Sequence, residues 1–312
     1  MTRAQLAERG LRPQRTRGQH FLVDSRARDA IVEAAGIGPD STILEIGPGT
    51  GILTAGLLAR GATVLAIELD RGLADLLRET LGAHPRLVLW VGDVLHFDFA
   101  THLASHPARG RIRVVANIPY SITSPLILRL LEGRAWFETL FLTVQREVAA
   151  RLSASPGSKA YGGLTLACRY RAEVAPLLAI PRAAFDPVPS VESTLVRFDL
   201  LDAPRVAVAS EAQLFHVIRA AFAQRRKTLR NALRGAGWAG VQLDLALDRA
   251  GLLGSRRGET LSLEEFGRLS DALPETDPEP GNATERETGR ASGTGGSRVR
   301  GASGPRRRAG KA

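Results

Sequence analysis

Gly47, Gly49 and Gly51 fall at alternate positions, directly after the apolar run Ile43-Leu44-Glu45-Ile46 and directly before a helical-looking run from Ile52. Glycine lets the main chain approach a ligand closely, and a helix start leaves N–H groups unpaired. A strand that opens through such a loop into a helix can therefore hold a nucleotide-type cofactor. A tight turn with no ligand would use the same glycines. Carboxylates recur at related places. Glu45 precedes the loop, Glu68 ends the apolar run from Thr63, and Asp93 follows the run from Leu87. Glu68 stands about twenty residues after the loop, where a carboxylate at the end of a second strand can bond ribose hydroxyls. A fourth apolar run, from Ile112, ends in Asn117-Ile118-Pro119-Tyr120. Pro119 stiffens that turn and restricts Ile118 before it. Asn117 offers an amide donor and acceptor, and Tyr120 an aromatic face on which a base can stack.

The elements that must position these residues are legible in the periodicity. Apolar runs and helical patterns alternate from Ile43 onward, which predicts a doubly wound, mostly parallel α/β sheet. In such a sheet ligands gather at the C-terminal ends of the strands, where the loop, Glu68, Asp93 and Asn117 all fall. Helices are expected over 25–35, 52–60, 73–81, 124–131 and 147–152. Strands are expected over 139–144, 164–170 and 192–198. Between the last two, Phe185-Asp186-Pro187-Val188-Pro189-Ser190 carries two prolines that can present Phe185 from a rigid loop. Residues 153–163 form a Ser/Gly-rich loop with Lys159 and Tyr161. After a linker over 200–204, four helical patterns to residue 273 predict a small all-helical C-terminal domain.

Composition narrows the partner. The 312 residues carry a formal net charge of +10, and 44% of them are apolar. The sequence pI is about 10.9. A soluble globular protein with an anionic partner is implied, and nucleic acid fits best. No apolar run approaches a membrane span and no leader segment is evident, so no membrane partner is expected. Cys168 is the only cysteine, and the six histidines lack ligand spacing. No disulfide framework and no metal are therefore expected, in a reducing, cytoplasmic setting. Cys168 reads as a small core residue in a strand-like run. The basic residues concentrate in Gln224-Arg225-Arg226-Lys227-Thr228-Leu229-Arg230-Asn231. If one helix runs through this stretch, Arg219, Arg226, Arg230 and Arg234 share a face, which a solvated surface would also show, and the absence of balancing acids suits RNA phosphates at least as well. Residues 1–17 read as a basic N-terminal arm. Residues 274–312, rich in Gly, Ser, Pro, Glu and Arg, read as a disordered tail.

Three cofactor classes can be weighed against the loop. A P-loop needs Gly-Lys-Ser/Thr, and this loop has no lysine. A dinucleotide site wants Gly-x-Gly-x-x-Gly, and no catalytic His or Lys pair suggests hydride transfer. S-adenosylmethionine (SAM) needs acceptors for its sulfonium, amino group and adenosine, and Glu45, Glu68 and Asp93 supply them in order.

With these motifs in hand, the chain resembles a known family. Glu45 to Gly51, Ile67-Glu68-Leu69-Asp70, Gly92-Asp93-Val94 and Asn117 to Tyr120 are similar to the motifs of class I SAM-dependent adenine-N6 methyltransferases. Residues 18–22, 145–152, 161–164, 185–193 and 221–231 narrow the likeness to the bacterial small-subunit rRNA dimethyladenosine transferases, over roughly 18–273. The resemblance implies dimethylation of two adjacent adenosines in a hairpin loop near the 3′ end of 16S rRNA. It implies action on the immature small ribosomal subunit, by a catalytic domain over 18–200 and a helical rRNA-binding domain over 205–273. A monomer is expected.

The resemblance also implies roles. SAM would be held by His20, Leu22, Gly47, Glu68, Asp93 and Asn117, with Glu45 and Gly49 in the same loop. The family more often has asparagine at His20, which keeps one donor there. Asn117 and the Ile118 carbonyl, stiffened by Pro119, would accept hydrogen bonds from the adenine amine while Tyr120 and Phe185 sandwich the flipped base. Arg225, Arg226, Lys227 and Arg230 would meet RNA. The large-subunit, macrolide-resistance branch is the nearest rival, and a non-catalytic binding factor or an oxidoreductase are rivals of other classes. The intact Asn-Ile-Pro-Tyr turn and glycine loop oppose the second, and the basic helical part opposes the third.

Overall fold

The computed structural model describes residues 3–11, 18–104 and 111–275. The proposed tail from residue 276 onward and the arginines at 12, 15 and 17 lie outside the described residues. The strands are β1 (Phe21–Leu22), β2 (Thr42–Ile46), β3 (Thr63–Glu68), β4 (Leu87–Val91), β5 (Ile112–Asn117), β6 (Phe137–Gln145), β7 (Ala172–Ile180), β8 (Phe185–Asp186) and β9 (Ser193–Leu200). The helices of the N-terminal part are α1 (Arg3–Glu8), α2 (Ser25–Ala34), α3 (Ile52–Ala59), α4 (Arg71–Leu81), α5 (Phe99–Ala104), α6 (Thr123–Glu132), α7 (Arg146–Leu152) and α8 (Gly163–Arg171). Those of the C-terminal part are α9 (Glu211–Ala223), α10 (Leu229–Arg234), α11 (Gly240–Arg249) and α12 (Leu263–Ala272).

The central sheet has seven strands in the order β4-β3-β2-β5-β6-β9-β7. The pairs from β4 through β6 are parallel, and β9 pairs antiparallel with both β6 and β7. The chain winds outward from β2 to β4, then returns to β5 on the other side. That reversal opens a crevice between the ends of β2 and β5, where an open α/β sheet binds ligands. β2 and β3 are apolar on both faces because helices cover both. On one face Leu44, Leu65, Val114 and Leu140 meet Leu126, Leu130 and Cys168. On the other, Ile43, Val64, Val115 and Phe141 meet Ile31, Leu53 and Leu57.

Three expectations need correction. Residues 164–170 are not a strand but lie within α8, so Cys168 is a helical residue, fully buried. The helix has no charged residue before Arg169 because it is squeezed between two cores: Cys168 faces the sheet, whereas Leu166 and Tyr170 face the C-terminal helices. The strand itself, β7, comes later. Pro176 breaks its register with β9, which the edge of a sheet tolerates. Last, the N-terminal arm is partly folded. A helix as short as α1 is unstable alone, but Leu6, 3% exposed, packs on Phe21, Leu73 and Leu76. Burying that leucine contributes roughly 1.5–3 kcal/mol, and Arg9 adds an ion pair to Glu79 on α4.

The C-terminal helices close on Leu214, Val217, Ile218, Trp238, Leu247 and Phe266, together with Tyr161, Leu166 and Tyr170 from the preceding part. The linker is held rather than loose. Arg205 donates through Nε to the Arg169 carbonyl at 2.9 Å, and its main-chain N–H to that of Tyr170 at 3.0 Å.

Candidate active site

The glycine loop takes the shape its composition demands. Gly47, Gly49 and Gly51 have φ of 65°, 57° and 81°, the left-handed region that side chains disfavour. Their surroundings differ. A Cβ on Gly49 would lie 3.0 Å from the Phe21 ring, whereas one on Gly47 would project into open space. A cleft opens there, lined by Leu22, Glu45, Gly47, Gly49 and Asn117, together with Phe21, Thr50, Ile52 and Leu53, which the motifs alone did not single out. Phe21 and Leu22 reach the cleft because β1 pairs with β8, Leu22 opposite Phe185.

Glu45 is the unusual group of this cleft. It is 1% exposed, and neither carboxylate oxygen has a hydrogen-bond partner of normal geometry among the described residues. Burial pushes its pKa up to about 8, and the neighbouring Glu68 adds to the rise, while the nearby Thr54 opposes it. A buried acceptor without a donor is costly. It fits a site that receives a cationic or N–H-bearing ligand. Glu68 is also buried, and burial raises its pKa as well. Its two oxygens accept from the main-chain N–H groups of Gly49, at 3.0 Å, and Asp70, at 2.9 Å. It thereby fastens the glycine loop to the end of β3 while keeping lone pairs for a ligand. Asp93 caps its own turn, accepting from Leu95 N–H, and pairs with His96, both at 2.9 Å.

The turn after β5 meets this cleft from the far side of the crevice. The Asn117 Nδ2 donates to the His20 carbonyl at 3.0 Å. That bond uses the donor side of the amide and leaves Oδ1 with its acceptor capacity, on a residue that lines the cleft. Tyr120 is half-buried. Its hydroxyl lies 2.8 Å from Ser193 Oγ, and its ring centroid 5.2 Å from that of His20. Burial raises the tyrosine pKa, the Ser193 bond opposing it. Ile118 is buried.

Two assignments change in this light. Phe185 is 1% exposed and packs in the core with Leu22 and Ile31. Pairing of β8 with β1 sets it opposite Leu22, which lines the cleft, and its ring is too buried in this structure to offer a face to a base. His20 Nδ1 lies 2.6 Å from the Pro187 carbonyl, and because a carbonyl only accepts, the ring N–H is spent there. In the neutral ring the remaining nitrogen accepts, where asparagine would offer a donor.

The basic segment is also rearranged. α9 ends at Ala223, and Thr228 caps a separate α10 through Asn231 N–H. Arg219 therefore lies on a different helix from Arg230 and Arg234, and the single stripe does not exist. Nor are acids lacking: Arg225 pairs with Glu259 at 3.0 Å and Arg230 with Asp244 at 2.9 Å. Arg226 and Lys227 stay exposed.

The sequence profile of the family described as ribosomal RNA adenine dimethylase matches residues 11–273. The chain belongs to that family. This dimethylase uses SAM to methylate adenine in rRNA, and the open acceptor of Glu45 beside the uncrowded Gly47 suits that cofactor. It is 44% identical over 277 residues to the ribosomal RNA small subunit methyltransferase A of Moorella thermoacetica, covering 87% of this chain and 96% of that one. It is 42% identical over 279 residues to the protein of the same name from Shouchella clausii, covering 88% and 94%. Among solved structures it is similar to a dimethyladenosine transferase from Plasmodium falciparum, with 26% identity and a TM-score of 0.65 over 80% of this chain and 96% of that one. It is also similar to the 23S rRNA methyltransferase ErmE, with 28% identity and a TM-score of 0.60 over 81% and 99%. Among the described residues no helix is long and apolar enough to cross a membrane, and no group of His, Cys, Asp or Glu could hold a metal.

Proposed function

We propose that this dimethylase converts two adjacent adenosines, in a hairpin loop near the 3′ end of 16S rRNA, to N6,N6-dimethyladenosine. It acts as a monomer on the immature small ribosomal subunit in the cytoplasm. The observation that carries the chemistry is Asn117, which lines the cleft and whose amide N–H is held by the carbonyl of His20, the residue whose ring meets Tyr120. The small-subunit target is supported by the 40–44% identity to small-subunit enzymes over nearly their whole length.

SAM, when bound, supplies an electrophilic methyl group. Glu45 would hold its amino group, Glu68 its ribose and Asp93 its adenine, in the cleft that Gly47, Gly49 and Leu22 line. His20 contributes through its main chain or its acceptor nitrogen. An adenine amine is a weak nucleophile because its lone pair is delocalised into the ring. Asn117 Oδ1 and the Ile118 carbonyl accept its two N–H bonds and so favour a pyramidal nitrogen with the lone pair free. Pro119 holds that turn rigid, and the Tyr120 face stacks the flipped base. Phe185 supports Leu22 from the core. The methylated nitrogen is then a strong acid that releases its proton to water, so no strong base is required, and positioning and fixed dipoles supply the rate.

The test is to map dimethyladenosine in rRNA from a strain lacking this gene, then complement with the wild-type gene or with Asn117→Ala. The paired marks should vanish from 16S rRNA and return only with the wild type. Loss of a mark from large-subunit rRNA instead would give the reading to the branch that includes ErmE.

A further inference from the structure

Only part of the basic run over 224–231 keeps its positive charge unpaired, because Arg225 and Arg230 have acidic partners. The loop over 153–162, between α7 and α8, is sewn to the segment around Glu259. Gly157 N–H donates to the Glu259 carbonyl at 2.7 Å, and the Tyr161 hydroxyl to that of Leu261 at 2.9 Å. Arg225 completes the seam. Its Nη2 donates to the Lys159 carbonyl at 2.9 Å, the Tyr161 carbonyl at 3.3 Å and the Glu259 carboxylate at 3.0 Å. Its Nε reaches the same carboxylate oxygen at 3.3 Å. The Arg225 charge is therefore matched, and the N–H groups on one side of its fork are committed within the protein.

Lys159, Arg226 and Lys227 differ. All three are exposed, and among the described residues none has an acidic partner. The bond from Arg225 holds the Lys159 main chain against the residue that precedes Arg226. Two cations from the helical part and one from the catalytic part are thus brought to the same seam.

We propose that the rRNA-contacting face is bipartite: Lys159, Arg226 and Lys227 meet RNA phosphates, and Arg225 is a positioning residue that holds Lys159 beside the other two. This rests on the reading of the chain as a small-subunit rRNA methyltransferase. Fixed cations on a rigid seam suit a folded RNA, whose phosphates are themselves fixed.

The experiment measures binding of the full chain to immature small subunits across a salt series, with SAM affinity and melting temperature recorded for every variant. Lys159→Gln and Arg226→Gln should each weaken binding several-fold and lower the log–log salt slope by about 0.7–1, one phosphate contact apiece. Glu259→Gln separates the two roles of Arg225. If Arg225 met phosphate, removing its acidic partner would free it and strengthen binding. As a staple it should instead lose its anchor, so Glu259→Gln should weaken binding although it removes a negative charge. That loss should shrink when Lys159 is already glutamine, since the two act through one contact. An unchanged slope in Lys159→Gln, or tighter binding in Glu259→Gln, overturns the inference. Salt-insensitive binding, or none, by the wild type overturns the substrate reading itself.

Discussion

Replacing Glu45 by glutamine should move stability and cofactor affinity in opposite directions. The folded-state pKa of about 8 stands above the ordinary value of 4.5, so the folded protein holds this proton more tightly than the unfolded chain. The associated stability is fully present below pH 4.5 and is lost as pH rises through 8. At pH 7.5 the ionisation cost to the ligand-free protein is about 4 kcal/mol. A glutamine cannot ionise, although its own buried amide is short of partners, so a net gain of about 2 kcal/mol is expected. For a chain of this size that raises the melting temperature by roughly 4–8 °C. At pH 5 the ionisation cost falls to roughly 1 kcal/mol while the amide penalty stays, so the gain should vanish or reverse. Cofactor affinity should drop by about 10–100-fold, because a charge-assisted hydrogen bond of roughly 1.5–3 kcal/mol is removed. Thermal melts at the two pH values and calorimetric titration with SAM measure both. If Glu45→Gln melts lower than the wild type at pH 7.5, or binds SAM equally well, the carboxylate is not an orphan awaiting a ligand and the argument fails.

Further outcomes can be stated at the same site and beyond it. Tyr120→Ala should keep SAM affinity while single-turnover methylation falls by about one to two orders of magnitude, since a stacking face worth roughly 1–3 kcal/mol is lost. Tyr120→Phe should keep most activity, down only several-fold, because the lost bond to Ser193 orients the ring and is worth about 1 kcal/mol. Equal loss in both would refute stacking. Gly49→Ala places a Cβ against the Phe21 ring at a left-handed φ, so SAM binding should weaken at least tenfold by calorimetry, whereas Gly38→Ala should leave it unchanged. Trp238→Ala should cost about 3–5 kcal/mol in denaturant unfolding, since the indole is 2% exposed and its N–H holds the Pro274 carbonyl at 3.0 Å.

The doubly wound sheet and the placing of Glu68, Asp93 and Asn117 at strand ends were legible because strands buried on both faces read as continuous apolar runs. Glycine spacing likewise announced a loop with positive φ. What escaped was set by tertiary contact. α8 carries its charges only at Arg169 and Arg171, so the uncharged run from Leu164 to Cys168 shows no helical period and Leu164 to Tyr170 looked like a strand. α1 gains its structure from Leu6 meeting Leu73 and Leu76, partners far along the chain. Phe21 is indistinguishable in the sequence from any core aromatic until β1 pairs with β8. The pairing of Arg225 with Glu259 joins residues separated by two helices, which no local charge count could anticipate.

The two-sided burial of α8 bears on how this enzyme could be recombined with its relatives. Tyr161, Leu166 and Tyr170 belong to the core of the C-terminal helices although they precede the linker at 201–204. A chimera joined at that linker would place one parent's Leu166 and Tyr170 against another parent's α9 and α12, mismatching the packing at its centre. A working graft must carry residues 153–171 with the helices they fill. The same contacts mean that the catalytic part, produced alone to residue 200, would bare these side chains to water. The natural unit of exchange is therefore discontinuous in sequence, even though the chain between residues 200 and 205 looks like an obvious place to cut.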